Sequence, residues 1–160
     1  MELPPGTGDI PLTLAQTIPI TGILVVTTPQ DVASHVAVKA VSMFEKLNVP
    51  IIGVVENMSH FICPNCDDKH YIFGEGGAKK ISEQFNMPFL GEIPLNAGIM
   101  SGSDVGKPIM ITNPDSPSAI AFRKSAKNIA AQCSILAAKL RDEMASESTG
   151  EEPTPEASTN

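Results

Sequence analysis

The sequence predicts an open α/β domain with a mostly parallel sheet flanked by helices. Three short apolar runs support this prediction, at residues 22–28, 51–55 and 89–93. Continuous apolar runs of this length are typical of strands that are covered on both faces, as in a parallel sheet. Segments with helical spacing follow each run, and this alternation of strand and helix is that of a sheet with its ligands at the carboxyl ends of the strands.

The first predicted helix follows the first strand. Thr28 is a candidate N-cap, and Pro29 fits the first helical position. Apolar residues then recur every three or four positions up to Leu47, which is the period of a helix with one buried face. Asn48 and Pro50 predict its end.

Two more helices are predicted, over residues 78–85 and over residues 116–141. The long one has an apolar stripe that includes Cys133, so we expect this thiol to be a small hydrophobic core residue. Residues 142–160 hold six acids and no base and are rich in Ser, Thr and Pro. We therefore expect a domain over residues 1–141 and an acidic, disordered tail over residues 142–160.

Composition argues against several function classes. The 160 residues have a net charge of −7, but without the tail they hold 12 acids and 11 bases. No basic face is evident, and aromatic residues make up only 4%, so we expect no nucleic-acid partner. No run of 18 apolar residues and no signal peptide is present, so we expect no membrane segment and a cytoplasmic location.

The sharpest chemical signal is the pair Cys63 and Cys66, whose spacing lets both thiolates reach one metal centre. With His60 and His70 they offer four zinc ligands within eleven residues. An iron–sulfur cluster takes four thiolates, so two chains would have to share it. A redox dithiol would need a low thiol pKa, which the two acids after Cys66 oppose. Spacing alone leaves all three interpretations open.

Two further segments are candidate ligand sites. Asn57 follows the second predicted strand, and its amide can pair with an adenine edge; the plain alternative is a capping or turn residue. Residues 3–9 combine prolines and glycines in a loop that backbone N–H groups could present to a phosphate. The plain alternative there is a turn before a helix that starts near Asp9.

Six segments occur together in one order: LPPGTGD at 3–9, TTPQDVA at 27–33, VVENMS at 54–59, CPNC at 63–66, IFGEGG at 72–77 and FLGEIPL at 89–95. In this order and spacing they resemble the Mrp/ApbC iron–sulfur cluster carriers, which are MinD/ParA-like P-loop ATPases. The resemblance extends from residue 2 to about residue 140.

The resemblance implies an ATP-dependent scaffold that holds a labile 4Fe–4S cluster and passes it to apo iron–sulfur proteins. Cys63 and Cys66 of each subunit would hold the cluster across a homodimer, which favours iron–sulfur over zinc. Gly6 would lie near the γ-phosphate of ATP, and Asn57 and Pro94 would contact its adenine. Mg²⁺ would accompany ATP in the intact protein.

The phosphate-binding loop of that family, a variant of G-x-x-x-x-G-K-[ST], lies upstream of the Pro-Pro-Gly segment and does not occur in these residues. We therefore expect the C-terminal part of a carrier, with the N-terminal strands of its sheet missing and no ATP hydrolysis by itself. The alternatives are a zinc-stabilised binding module and a MinD/ParA-like ATPase without a cluster. The acidic end argues against the basic membrane anchor of the latter.

Overall fold

The computed structural model describes residues 1–3 and 8–148, with side chains as far as residue 142. In chain order the elements are α1 (Asp9–Thr17), β1 (Ile23–Thr27), α2 (Asp31–Lys46), β2 (Ile51–Ile62), β3 (Lys69–His70), α3 (Gly77–Gln84), β4 (Phe89–Leu95), α4 (Ala97–Asp104), α5 (Ile109–Thr112) and α6 (Pro117–Ser148). The α/β class predicted from the sequence is confirmed. No helix in the described part of the chain is long and apolar enough to cross a membrane.

The sheet is built around β2. This strand is parallel to β1 on one side and to β4 on the other, so Val55 lies between Val26 and Gly91. The short strand β3 is antiparallel to the far end of β2. The prediction of a mostly parallel sheet is therefore confirmed, with β3 as its antiparallel addition.

The strand β2 is longer than the predicted run over residues 51–55 and continues to Ile62. Its polar second half remains a strand because it has partners: Phe61 pairs with Leu95 of β4 and with His70 of β3. The register with β4 shifts between Asn57 and Phe61. Asn57 was predicted to follow the end of this strand, but it lies within β2.

Two apolar clusters cover the two faces of the sheet. One contains Val54 and packs against the buried faces of α2 and α3. The other contains Val55 and packs against α6, including the half-buried Cys133. Successive residues of β2 thus enter opposite clusters, which is why the strand is apolar at every position there. The predicted core role of Cys133 is confirmed.

The helix ends differ from the predictions in two places. The residue before α2 is Gln30, and Thr28 does not cap the helix: its hydroxyl donates to Oε1 of Gln30, 3.1 Å away. The last helix, α6, runs past the predicted end at Arg141 to Ser148. The division into a domain and a tail stays a prediction, because residues 149–160 lie outside the described residues.

Candidate functional site

A β-hairpin holds the cysteine pair. Its arms are the end of β2 and β3, and its turn spans residues 63–68. The turn is closed by two backbone hydrogen bonds, from N–H of Cys63 to the carbonyl of Asp68 (3.0 Å) and from N–H of Asp67 to the carbonyl of Cys63 (2.9 Å). Asp67 adopts a φ of 59°, a conformation that Asp tolerates better than most residues. Both thiols therefore belong to a defined turn at the tip of the hairpin.

Strand register brings a histidine to this turn. His70 lies opposite Phe61, and Cys63 is two residues beyond Phe61. Side chains two apart leave a strand on the same face, and cross-strand diagonal neighbours lie within reach of each other. The ligand atoms of Cys63, Cys66 and His70 accordingly lie within 4.8 Å of one another. Among the described residues, these three side chains form the one group of three or more that could hold a metal ion.

The other predicted zinc ligand, His60, lies apart from this group. It is buried at 7% exposure, and it directly precedes Phe61, so it leaves β2 on the opposite face from His70. The hydroxyl of Ser59 has one proton and donates it to the carbonyl of Ile93 (3.2 Å). We therefore assign the 2.9 Å contact between Ser59 Oγ and His60 Nδ1 as a bond that the ring donates. The four-ligand set predicted from spacing is wrong in including His60.

Backbone dipoles act on the first thiol of the pair. The N–H groups of Asn65 and Cys66 point at Sγ of Cys63 and lower the pKa of this thiol, and the thiol of Cys66 adds to the effect. The carboxylate of Asp67 opposes it more weakly. From the sequence, the two acids after Cys66 were expected to oppose a low thiol pKa, with Lys69 offsetting part of their charge. The larger, opposite influence of the turn was not predicted, because backbone direction cannot be read from composition. Cys63 is half-buried, and Cys66 is exposed.

The predicted adenine-binding residues lie on neighbouring strands. Asn57 of β2 pairs with Ile93 of β4, and Pro94 is the next residue along β4. Asn57 is half-buried and its Oδ1 accepts a bond from N–H of Met58 (3.0 Å), which leaves its side-chain NH₂ group as a donor. Pro94 is buried. Gly6, predicted to lie near a phosphate, is outside the described residues.

An open groove of about 940 Å³ runs beside β1, and Asn57 lines it together with Thr27 and Thr28. Pro94 does not line it. In the described part of the chain β1 pairs with β2 alone, so its other edge is open along this groove. The structure thus brings one of the two predicted adenine-binding residues to a cavity at the carboxyl end of β1.

One buried carboxylate was not predicted from the sequence. Glu56 is 2% exposed, and its Oε2 accepts a 2.8 Å hydrogen bond from N–H of Ala78 at the start of α3. Burial raises the pKa of this carboxyl group, and the bond from Ala78 partly offsets that effect. An acid at the end of an apolar run was the available signal. The neighbouring pair of Lys79 and Glu92 is more exposed, with Nζ and Oε1 2.7 Å apart.

The fold is similar to that of the MinD-type P-loop NTPases, and two solved structures carry this similarity. A nucleotide-binding protein of Archaeoglobus fulgidus, solved in complex with ADP and with cobalt, is 38% identical with a TM-score of 0.61; the match covers 75% of this chain and 48% of that one. The cell division ATPase MinD of Pyrococcus furiosus is 27% identical with a TM-score of 0.51, covering 66% of this chain and 40% of that one.

The family model for the ParA group described as "NUBPL iron-transfer P-loop NTPase" matches residues 1–130, and the chain belongs to this family. The iron-sulfur cluster transfer protein NUBPL of Dictyostelium discoideum is 48% identical over 84% of this chain and 42% of its own length. The iron-sulfur cluster carrier proteins of Aquifex aeolicus and Escherichia coli K12 are 50% and 49% identical, over 35% and 36% of their lengths. The chain thus spans well under half of these relatives.

Proposed function

We propose that this chain is the cluster-bearing part of an iron–sulfur cluster carrier. Cys63 and Cys66 of two copies hold one 4Fe–4S cluster as cargo and release it to apo iron–sulfur proteins. The observation that supports this most directly is the placement of both thiols at the tip of one hairpin, with their ligand atoms within 4.8 Å. A cubane cluster needs four thiolates, and two such tips supply them.

The geometry of the hairpin suits cargo that is bound and given up. Cys66 is exposed, so a second copy or an acceptor thiol can approach the pair without unfolding of the turn. The backbone N–H groups that lower the pKa of Cys63 favour its thiolate, which is the form that ligates iron. The turn contributes no bulky side chain between the two cysteines, only Pro64 and Asn65.

We propose further that the whole protein binds ATP with Mg²⁺, and that this chain supplies the adenine side of that site through Asn57 and Pro94. The relative from Archaeoglobus fulgidus solved with ADP supports a nucleotide site, and the groove that Asn57 lines supports the assignment of Asn57. Gly6 would contact the γ-phosphate. One strand, β2, leads from Asn57 to Ile62 beside the cysteine turn, so the two sites share a backbone element.

The test is anaerobic reconstitution of the chain with ferrous iron and sulfide. We expect a brown dimer with about two irons and two sulfides per chain, since four irons are shared by two copies. The double variant Cys63→Ala/Cys66→Ala is expected to stay colourless. The matched control is Cys133→Ala, which removes a thiol that packs against the core and should leave the iron content unchanged.

Loaded protein is then mixed with an apo 4Fe–4S acceptor, and the recovery of the acceptor's absorbance is followed. Transfer faster than from free iron and sulfide supports the carrier function. A colourless wild-type chain, or iron that is lost with Cys133 and not with the hairpin pair, contradicts it.

A further inference from the structure

The hairpin that presents the cysteine pair also presents a third metal ligand. We propose that a single chain binds one zinc-class divalent cation through Cys63, Cys66 and His70, with the fourth coordination position open. This site shares its two thiols with the proposed carrier function, and the contribution of His70 is tested separately from it.

The geometry needs only side-chain movement. In a tetrahedral site with Zn–S near 2.3 Å and Zn–N near 2.0 Å, ligand atoms lie about 3.5 to 3.8 Å apart. The three ligand atoms here already lie within 4.8 Å of one another. The remaining closure is therefore about 1 Å. His70 and Cys66 are exposed, so rotation of their side chains can supply it.

Alternation of side chains along the strands decides which histidine lies beside the cysteines. His70 pairs directly with Phe61, and Cys63 lies two residues after Phe61, so both side chains leave the same face of the hairpin. His60 leaves the opposite face, is buried, and is held by Ser59. The third histidine of the chain, His35, lies in α2, outside the group of three ligands. Of the three histidines, one is therefore positioned as a ligand.

The donor set selects the class of ion. Two thiolates and one imidazole favour zinc and its spectroscopic substitute cobalt(II) over magnesium or calcium, which prefer oxygen. Each thiol gives its proton to solvent when the ion binds, so one divalent cation displaces two protons and leaves a neutral centre. Three protein ligands with one open position form a site that can exchange its ion or accept an external ligand.

A single metal ion and a shared iron–sulfur cluster cannot occupy this site at the same time. A cation bound within one chain occupies both thiolates that a cluster bridging two chains requires. We therefore expect zinc to inhibit cluster loading, and a chain that lacks the His70 ligand to be inhibited less at the same zinc concentration.

The test uses the reduced chain and cobalt(II) alone, titrated anaerobically and read by thiolate-to-cobalt charge transfer and by the intensity of the tetrahedral d–d bands. We expect one cobalt per chain in a monomer. Loss of a group that merely orients a metal ligand costs about 10- to 100-fold in affinity, so loss of a ligand should cost at least about tenfold. We expect this loss for His70→Asn and for His70→Gln, and no change for the matched variant His35→Asn. X-ray absorption of the zinc-loaded chain should show imidazole scattering that is absent without His70.

Equal cobalt affinity of the wild type and both His70 variants would overturn the proposal. So would loss of the imidazole signal in His60→Asn instead, or half a metal per chain in a dimer held by four thiolates. The carrier function fails independently: a wild-type chain that binds cobalt through His70 but forms no cluster refutes the carrier and leaves this site. A His70 variant that forms a normal cluster and binds cobalt normally refutes this site and leaves the carrier.

Discussion

The buried carboxylate of Glu56 gives a prediction that tests how β2 is joined to α3. Its Oε2 accepts a 2.8 Å bond from N–H of Ala78, a residue with no exposed surface. Replacement by Ala removes the acceptor, and replacement by Gln keeps an oxygen acceptor of nearly the same shape. The two variants therefore separate the hydrogen bond from the charge.

The magnitude follows from two losses. A buried N–H group without a partner costs about 1 to 3 kcal/mol. Removal of the one buried methylene adds about 0.8 kcal/mol. We therefore expect the free energy of unfolding of Glu56→Ala to be about 2 to 4 kcal/mol lower than that of Glu56→Gln. The Gln variant should remain within about 1 kcal/mol of the wild type at neutral pH, because its amide oxygen can accept the same bond from Ala78 in a group of nearly the same shape.

The carboxyl group also predicts a pH dependence. Burial is the main cause that raises the pKa of Glu56 above its ordinary value of 4.5, and the nearby carboxylates of Glu92 and Glu75 act in the same direction. The folded chain therefore holds this proton more tightly than the unfolded chain. Stability from this group is fully present below the ordinary pKa and is lost as the pH rises through the raised pKa of the folded state. The Gln variant lacks this loss.

Urea unfolding followed by circular dichroism measures both effects. The free energy of unfolding is compared for the wild type and the two variants at several pH values from 4 to 8. The difference between wild type and Glu56→Gln should shift in favour of Gln as the pH rises. Equal stabilities of the Ala and Gln variants would refute the hydrogen-bond argument. A difference between the wild type and Glu56→Gln that does not change with pH would refute the argument from the raised pKa.

Two further substitutions test the packing and charge around α3, and a third, at the start of α1, is a control for the first. A Cβ on Gly77 would lie 2.6 Å from the carbonyl oxygen of Pro29, so Gly77→Ala should cost about 1 to 3 kcal/mol in urea unfolding, while Gly8→Ala, where the space is open, should cost less than about 1 kcal/mol. Lys79→Met removes the ion pair with Glu92. The side chain of Lys79 is 54% exposed and that of Glu92 is 30% exposed. We expect a loss below about 1 kcal/mol that shrinks in high salt, and a loss that is larger or independent of salt would contradict the surface character of this pair.

Local sequence patterns were sufficient for the strands and helices that pack on both sides of the sheet. The runs that became β1 and β4 and the helical spacing of α2 and α3 gave elements close to those observed. The apolar stripe predicted on α6 ran from Ala119 to Leu140 and did not include Ser125. It was only partly correct, since Leu140 is 37% exposed and Ser125 is buried at 4%. Ser125 is buried because Gly91 of β4 leaves room for the hydroxyl there. That contact joins residues far apart in the chain, so no local period reports it.

The sequence by itself determined the class of fold, the family and the cysteine pair, because these depend on local period and on short ordered motifs. Only the tertiary structure decided that β2 continues past Glu56, because the continuation depends on pairing with β3 and β4. It also decided which histidine joins the cysteines. His60 and His70 lie three and four residues from the nearest cysteine, so spacing does not separate them. Alternation along β2 and the register of the hairpin place them on opposite faces.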